Sequence, residues 1–484
     1  MTCTECRKSK TLIIVVVFIA MMLDLIMLTT LEPILPDILH SIDKEQGLYS
    51  VPNTTSPNTT TSEAAKGTEE SRRRIEKSPQ VGLILAIKPG TEILANIIVG
   101  FIVDRYGHKY PMVLGCLANF LATISFAFGY RLEMFLMARI VQAIGSSFSV
   151  VSGLALLACA FPKDSERARA NGIAFGGLSL GMILGFPFGS TCYQFLGRKA
   201  PFFILAALML FDGILRLLIV LPDTKKEEHS GSDLRKFPKL IKDPYILIAL
   251  GSNFILNLAL GVVITTGPAW MLDTLHAEQW NIGLILVIGA VLQLISQAVT
   301  GLIAVQIGRW TFCMSGLIVY ALGMIAYPFC THIWMVVGTE GLARIGYGAV
   351  LAVLSPLLAY LVDLRHSSAY GAVYGLYAAS YNLGLVAGPV AGGILVKELS
   401  FEWLYWGTAV LVVLFSFLSL RFRTIEKSEL VLKDKNGNAI DYGTFKDPAK
   451  VEQGNSEPEI IEPKHNRQRH LLLSQSSLPC SLSV

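Results

Sequence analysis

The chain has little charge for its length. Asp, Glu, Lys and Arg together make up 16% of the 484 residues, against about 25% in an average soluble protein. Hydrophobic residues make up 52%, and the mean hydropathy is +0.54. The net charge of +4 is too small, and its carriers too dispersed, for a nucleic-acid partner. Lipid is therefore expected to be the main solvent of this protein.

The chain also lacks the motifs of an enzyme or of a metal site. Its eight cysteines show no metal-ligand spacing beyond the weak Cys3-x-x-Cys6 pair, and none lies in the long loop after the first apolar segment. No soluble segment pairs a nucleophile with a base or contains a phosphate-binding loop. We therefore expect no enzyme activity, no cofactor, no metal site and no disulfide in that loop.

Long apolar segments dominate what the sequence does contain. A helix needs about 20 apolar residues to cross the hydrocarbon core of a bilayer. The first segment is not expected to be a cleaved signal peptide, because Asp24 interrupts it and no small-residue cleavage site follows. The sequence predicts an all-α membrane protein with twelve transmembrane helices, near residues 12–37, 80–103, 112–130, 134–160, 170–195, 201–221, 245–271, 281–305, 310–329, 334–362, 370–396 and 401–421.

Polar stretches divide the chain into parts. A long loop at 38–79 interrupts the first half, which comprises residues 1–221. A charged linker at 222–243 leads to a second half at 244–421, so that each half holds six predicted helices. The polar tail, 422–484, is expected to be disordered.

Lysine and arginine concentrate in alternate short loops, beginning with the residues before the first helix. Short loops rich in these residues usually face the cytosol. Both termini are therefore expected to be cytosolic, and the 38–79 loop lumenal or extracellular. That loop contains glycosylation sequons at Asn53 and Asn58, which are expected to carry glycans on that side.

Three short patterns in the first half recur at matching places in the second half. Small residues every four positions let helices approach closely, and such repeats indicate the duplicated architecture of the major facilitator superfamily. The pairs are Gly100-x-x-x-Asp104-Arg105-x-Gly107 with Gly301-x-x-x-x-x-x-Gly308-Arg309, Ala138-Arg139-Ile140 with Ala343-Arg344-Ile345, and Gly181-x-x-x-Gly185-x-x-x-Gly189 with Gly384-x-x-x-Gly388-Pro389.

Ionisable residues inside the predicted helices need an explanation, because each costs at least about 2.5–3.5 kcal/mol in the bilayer. Glu340 and Arg344 in helix 10 are spaced i,i+4 and are expected to form a structural ion pair. Lys88 and Glu92 in helix 2 have the same spacing. They are either a structural pair or part of a transport site.

Asp24, in the middle of helix 1, has no such partner on its own helix. An acid held in the membrane without a local partner is typical of a cation-binding or proton-coupling group. Glu32 lies eight residues further on, roughly on the same face, and either belongs to this site or faces water at the helix end. Arg139 in helix 4 is either a structural hub or a member of the site.

Several stretches, taken together, resemble one family, the vesicular amine transporters of the major facilitator superfamily, which carry monoamines and acetylcholine. The resemblance covers nearly all of residues 10–421 and leaves out the first loop and the tail. It is carried by Leu23-Asp24-x-x-Met27-Leu28-Thr29, Glu32-Pro33-Ile34-Leu35-Pro36, Val81-Gly82-Leu83-Ile84-Leu85-Ala86-Ile87-Lys88, Arg139-x-x-Gln142-x-Ile144-Gly145-Ser146-Ser147, Asp243-Pro244-Tyr245 and Tyr360-Leu361-Val362-Asp363-Leu364-Arg365-His366.

The resemblance implies the exchange of cytosolic amines for lumenal protons. It makes Asp24 the acid that faces the ammonium group of the substrate, and Lys88 the basic group between helices 2 and 11. The motif Gly384-x-x-x-Gly388-Pro389 is that of antiporters in the superfamily. The further candidate site residues, expected around the central cavity, are Arg139, Asn257, Trp270, Tyr374 and Tyr381.

The chain departs from this family at several charged positions. Where the monoamine carriers have acids in helices 7, 10 and 11, this chain has Ile264, Leu351 and Ala378. In exchange, Glu32 and Glu92 stand where the family has uncharged residues. We therefore interpret the site as rewired on a conserved scaffold, with a different amine as the expected substrate.

Lys88 needs a new partner under this interpretation, because the helix 11 acid that pairs with the family's lysine is absent. Glu92 lies one turn away on the same helix, and Glu32 could reach Lys88 across the bundle. We favour Glu92, because helical spacing guarantees its proximity.

The leading interpretation is a secondary transporter, a proton-coupled antiporter that moves a small organic cation into vesicles by rocking of its two halves. The alternatives are a plasma-membrane efflux carrier for drugs or metabolites, and a non-transporting receptor derived from a carrier. Expected partners are the amine, protons and the bilayer, with sorting adaptors on the tail patterns Tyr442-x-x-Phe445 and Glu426-x-x-x-Leu430. A monomer is expected.

Overall fold

The computed structural model describes residues 10–45, 78–161, 163–218, 240–365, 369–423, 431–433 and 439–441. The chain divides into two compact units, Met1–Ser419 and Leu420–Val484. The helices of the first unit are α1 Lys10–Glu45, α2 Ser78–Tyr106, α3 Lys109–Phe128, α4 Leu132–Ala160, α5 Asp164–Leu196, α6 Ala200–Leu218, α7 Pro244–Thr274, α8 Gln279–Ile307, α9 Arg309–Ala326, α10 Ile333–Arg365, α11 Tyr370–Glu398 and α12 Phe401–Leu418, with a short 3₁₀ helix at Tyr327–Phe329.

Within the described residues, twelve helices are long and apolar enough to cross a membrane, which confirms the predicted fold class. Helix α1 continues to Glu45, beyond the predicted end at residue 37. Most of the predicted 38–79 loop, with Asn53 and Asn58, lies outside the described residues, and so does most of the 222–243 linker. We call the end of the bundle where α1 begins the terminal face, and the other end the opposite face.

The second unit contains a short antiparallel pair of strands that the sequence analysis did not predict. Strand β1, Val431–Lys433, pairs with β2, Ala439–Asp441, with Leu432 opposite Ile440. The tail patterns at Glu426 and at Tyr442-x-x-Phe445 lie outside the described residues.

The two glycine ladders perform the same packing task in the two halves. The ladder of α5 packs against α1, where a Cβ on Gly181 would lie 2.6 Å from the carbonyl oxygen of Met22. The ladder of α11 packs against α7, where a Cβ on Gly384 would lie 2.5 Å from the carbonyl oxygen of Phe254. Real Cβ atoms do not approach so closely, so each of these contacts requires glycine. The sequence repeat therefore corresponds to a structural repeat.

The turns after α2 and α8 also match. Gly107 and Gly308 both have positive φ angles, +79° and +115°. This backbone region is open to glycine and strained for most other residues. The repeated glycines therefore end the second helix of each half in the same way.

Candidate substrate and proton-coupling site

A cluster of three charged side chains lies where α1 meets α2. The Lys88 Nζ atom is 2.6 Å from Glu92 Oε1 and 3.5 Å from Asp24 Oδ2. All three residues are more than nine-tenths buried. One ammonium group is therefore shared between two carboxylates, one on its own helix and one on α1.

The two contacts of Lys88 have different origins. Glu92 is one helical turn from Lys88, so their side chains meet by local geometry alone. Asp24 reaches Lys88 only through the tertiary fold, which brings the middle of α1 close to α2. Ser146, on α4, also donates a hydrogen bond to Asp24. Asp24 thus receives both of its partners from other helices.

Arg139 lies beside this cluster and is fully buried. It donates a hydrogen bond of 2.8 Å to Gln142 Oε1, and its guanidinium lies 5.7 Å from the centre of the Phe126 ring. It interacts electrostatically with Glu32 most strongly, and also with Glu92 and Asp24. The two acids that are new in this chain are therefore divided between the two bases: Glu92 pairs with Lys88, and Glu32 is the main electrostatic partner of Arg139.

The formal charges of this cluster do not cancel. Among the described residues it contains three acids and two bases, Asp24, Glu32, Glu92, Lys88 and Arg139. With every group ionised the cluster carries one net negative charge. Uncompensated charge is expensive in a low-dielectric interior, so a cluster of this kind favours the uptake of one proton or one monovalent cation.

The second half of the protein contributes neutral polar groups. Tyr381, on α11, is close enough to interact electrostatically with Glu92, Lys88 and Asp24, and it also lies close to Tyr347. Tyr347 in turn donates to Asn257 Oδ1 at 2.8 Å. Hydroxyl and amide groups therefore continue the polar cluster from the acids of α1 and α2 into α10 and α7.

Asn382, also on α11, lies close enough to the carboxylate of Glu92 to interact with it. Its Nδ2 atom donates to the backbone oxygen of Ala378 at 3.1 Å. The sequence analysis missed Asn382, Tyr347 and Ser146. Only Asn382 carried a signal, because it lies one turn after Ala378, the helix 11 position where the resemblance led us to look for an acid.

Two of the expected cavity residues lie toward opposite ends of the bundle. The Trp270 ring stacks on Phe401, with centroids 4.8 Å apart, in an aromatic cluster with Tyr327 at the opposite-face end of α7. Tyr374 donates to the backbone oxygen of Ser355 at 3.3 Å, near the terminal face. Trp270 and Tyr374, which were expected around the central cavity, each lie nearer one end of their helix than Asp24 does.

Glu340 and Arg344 form the ion pair that their spacing predicted. Arg344 Nε donates to Glu340 Oε1 at 2.7 Å, and both side chains are buried. A Cβ on Gly289 of α8 would lie 3.0 Å from the Arg344 side chain, so this pair fills a tight contact between α8 and α10. The geometry agrees with the structural interpretation of the pair.

Comparisons with known proteins agree with this architecture. The model of the Major Facilitator Superfamily matches residues 13–365 and 251–473. The synaptic vesicular amine transporter of Mus musculus is 32% identical over 89% of this chain and 92% of its own length. The chromaffin granule amine transporter of Rattus norvegicus is 34% identical over 83% of this chain and 85% of its own length.

The chain belongs to the vesicular amine transporter family of the Major Facilitator Superfamily. The crystal structure of the human organic anion transporter MFSD10 (TETRAN) is also similar, with a TM-score of 0.68 at 17% identity over 84% of this chain and 99% of the other. At this identity the likeness concerns the fold alone.

In this vesicular amine transporter homologue the two halves touch at the terminal face. Asp104, on α2, accepts hydrogen bonds from the backbone nitrogens of Gly371 at 2.6 Å and of Ala372 at 2.8 Å. It thus caps the N-terminus of α11, where an anion is favoured by the helix dipole. Arg167, on α5, pairs with Asp363, on α10, at 2.7 Å. The neighbouring motif residue Arg105 is exposed.

The predicted effect of Gly100→Ala follows from this closed seam between the halves. A Cβ there would lie 2.6 Å from the Gly371 carbonyl oxygen, and overpacking of this kind typically costs about 1–3 kcal/mol. We expect a lower melting temperature for the purified transporter. Gly90→Ala is the matched control, because it is on the same helix and its Cβ would meet no atom within 4 Å. Equal melting temperatures for the two variants would contradict a close contact between α2 and α11 at Gly100.

Proposed function

We propose that this protein is a proton-coupled antiporter that moves a small organic monocation, an amine, across the membrane in exchange for protons. The observation that carries the proposal is the buried Asp24 carboxylate, which shares one ammonium group, Lys88, with a second acid. The cluster around it has one net negative charge with all groups ionised. An ammonium group and a proton are alternative ways to neutralise that charge.

Asp24 is the acid we assign to the amine. Its contacts with Ser146 and Lys88 hold the carboxylate in place from two other helices. The rings and hydroxyls of Tyr381 and Tyr347 continue the site on the other half. Aromatic faces attract organic cations, and hydroxyls bind polar groups on the rest of such a molecule. The absence of acids at Ile264, Leu351 and Ala378 favours a monocation over a polyamine.

Alternating access is proposed to occur by rocking of the halves around this site. The hydrogen bonds of Asp104 to α11 and the Arg167–Asp363 pair close the terminal face in the present conformation. The loop charges favour a cytosolic terminal face. In this assignment the structure represents the state from which the amine leaves and the proton enters on the lumenal side.

A vesicle membrane is the proposed location, because the relatives are named synaptic vesicular and chromaffin granule amine transporters. The same similarity supports a carrier rather than an enzyme. The partners proposed are the amine, protons and lipid, with sorting adaptors for the tail and a monomeric assembly.

The test is uptake into proteoliposomes with an acidic interior. Labelled tyramine, histamine, acetylcholine and spermidine would be supplied outside, with and without an uncoupler. We expect uncoupler-sensitive accumulation of at least one monocation and little accumulation of spermidine. If none of the four amines is accumulated or exchanged, the antiport proposal is wrong, and a non-transporting receptor becomes the better interpretation. Accumulation that persists with the uncoupler would show that uptake is not coupled to protons.

A further inference from the structure

Glu92 occupies a different position from Asp24, although both contact Lys88. Glu92 lies on α2 where this helix packs against α11, with Lys88 Nζ at 2.6 Å and the Asn382 side chain of α11 close to its carboxylate. Since α2 belongs to the first half of the protein and α11 to the second, Glu92 is the acid of the cluster that lies at the boundary between the halves.

The seam in which Glu92 lies has little free space. One turn from Glu92, a Cβ added to Gly375 of α11 would lie 2.5 Å from the backbone oxygen of Asn96. Two turns from Glu92, a Cβ added to Gly100 would lie 2.6 Å from the backbone oxygen of Gly371. Glu92 is 8% exposed and Asn382 is 4% exposed. An organic cation does not fit between helices whose backbones touch, but a proton does.

The charged and titratable groups around Glu92 come from every helix packed against it except α3, whose sequence has no charged residue after Lys109. Two of these groups are bases, one is an acid and one is a tyrosine. The charge on Glu92 therefore depends on whether the bases neutralise Glu92 or the other acid. They are Lys88 on its own helix, Asp24 on α1, Arg139 on α4 and Tyr381 on α11.

We propose that Glu92 is the residue that binds the transported proton, and that Lys88 links it to Asp24 by pairing with whichever acid is free. This inference rests on the proposed antiport. It adds the assignment of the two exchanged ions to two different carboxylates, with Asn382 as the residue that positions Glu92.

In the exchange step, protonation of Glu92 displaces the amine from Asp24. With the amine on Asp24, Lys88 neutralises Glu92, as its 2.6 Å contact allows. A proton from the lumen then binds the Glu92 carboxylate and forms a neutral carboxylic acid. Lys88 keeps its own proton and moves from Glu92 toward Asp24, whose Oδ2 is already 3.5 Å away. Two ammonium groups now compete for Asp24, and the amine leaves. The site has then taken up one proton and released one amine cation, so its net charge is unchanged.

Asn382 suits both protonation states of Glu92. Its NH₂ group donates one hydrogen to the Ala378 carbonyl and can donate the other to the ionised carboxylate, and its carbonyl can accept the hydrogen of the protonated acid. The proton on Glu92 therefore changes a hydrogen bond between the two halves. This gives the exchanged proton a direct connection to the seam that must open during transport.

The test separates proton-driven uptake from amine exchange. Glu92→Gln would be reconstituted, and labelled accumulation measured for the panel amine that the unmodified transporter takes up fastest. With an acidic interior and no internal amine, we expect accumulation to fall to the level found with an uncoupler. With the same unlabelled amine inside and no pH gradient, we expect exchange to persist but to need a higher amine concentration for half its maximal rate, because the neutral amide leaves Lys88 free to compete with the amine for Asp24.

Two further variants keep the result decisive. In Glu92→Gln/Asn382→Asp the carboxylate moves to the neighbouring side chain on α11, and proton-driven uptake should partly return. Glu340→Gln is the matched control, because it removes an equally buried i,i+4 acid of the second half, and the ratio of driven uptake to exchange should not change.

Proton-driven uptake by Glu92→Gln would overturn the assignment. Loss of exchange together with uptake, in protein that still elutes as a single sharp peak, would also overturn it, because Glu92 would then be needed for binding. If Glu92→Gln does not fold, the double variant Glu92→Gln/Asn382→Asp decides. The assignment of the proton to Glu92 is wrong if this double variant folds and exchanges amine but shows no proton-driven uptake. Failure of the unmodified protein to exchange any amine would instead refute the proposed function.

Discussion

Asp24→Asn is expected to reduce both proton-driven uptake and amine exchange to background. The amide keeps the size and the hydrogen bond from Ser146, but it cannot carry the negative charge that binds an ammonium group. It also leaves Lys88 with Glu92 alone, so that the cluster loses its net negative charge. Uptake of the labelled amine into proteoliposomes measures this directly, with expression and elution profile as checks on folding.

Ser146→Ala is the matched control for this experiment. It removes the hydrogen bond to Asp24 and keeps the carboxylate, so we expect weaker uptake that is still sensitive to an uncoupler. Near-normal transport by Asp24→Asn would refute the role of Asp24 in binding. The contrast with Glu92→Gln is informative as well, because only the Asp24 variant is expected to lose exchange.

Lys88→Ala is expected to cause a large loss of stability. It would leave the Asp24 and Glu92 carboxylates buried close together without the ammonium group that both of them contact. Breaking a buried pair by removing one partner typically costs about 3–5 kcal/mol, whereas removing both charges is often tolerated. Adding Glu92→Gln to Lys88→Ala should therefore recover much of the folded protein. The fraction that remains monodisperse after heating in detergent is the measurement.

Glu32→Gln provides the comparison for this rescue. Glu32 is an acid of the same cluster, but its principal charged partner is Arg139 rather than Lys88. We expect Lys88→Ala/Glu32→Gln to be no more stable than Lys88→Ala. Rescue by Glu32→Gln and not by Glu92→Gln would mean that Lys88 pairs across the bundle, contrary to the geometry of the cluster.

The position of the acid changes what the α2–α11 seam can do. The family pattern implied by the resemblance has a lysine on helix 2 and its acid on helix 11, so that the ion pair itself joins the halves. Here Ala378 replaces that acid, and the lysine pairs within α2. At this depth the halves then meet through the neutral Asn382 side chain of α11, which lies close to Glu92. The halves can separate there without leaving a lysine unpaired.

Much of the architecture could be predicted from the sequence. Long apolar runs identify helices that cross a membrane, because the bilayer offers no water to an unpaired backbone. The repeated glycine ladders predicted close helix packing, which the structure places at α1–α5 and at α7–α11. The pairs Lys88–Glu92 and Glu340–Arg344 were also predictable. Each lies within one helix, where the spacing of four residues fixes the distance.

Only the tertiary structure decided which groups meet across helices. Asp24 had no partner in the sequence, yet in the fold it meets Lys88 and Ser146. Trp270 and Tyr374 were expected around the central cavity, and the fold places them nearer the two ends of the bundle. The physical reason is that helical periodicity sets neighbours along one helix, while contacts between helices depend on their relative depth and rotation. Those are set by the close backbone approaches of many glycines acting together.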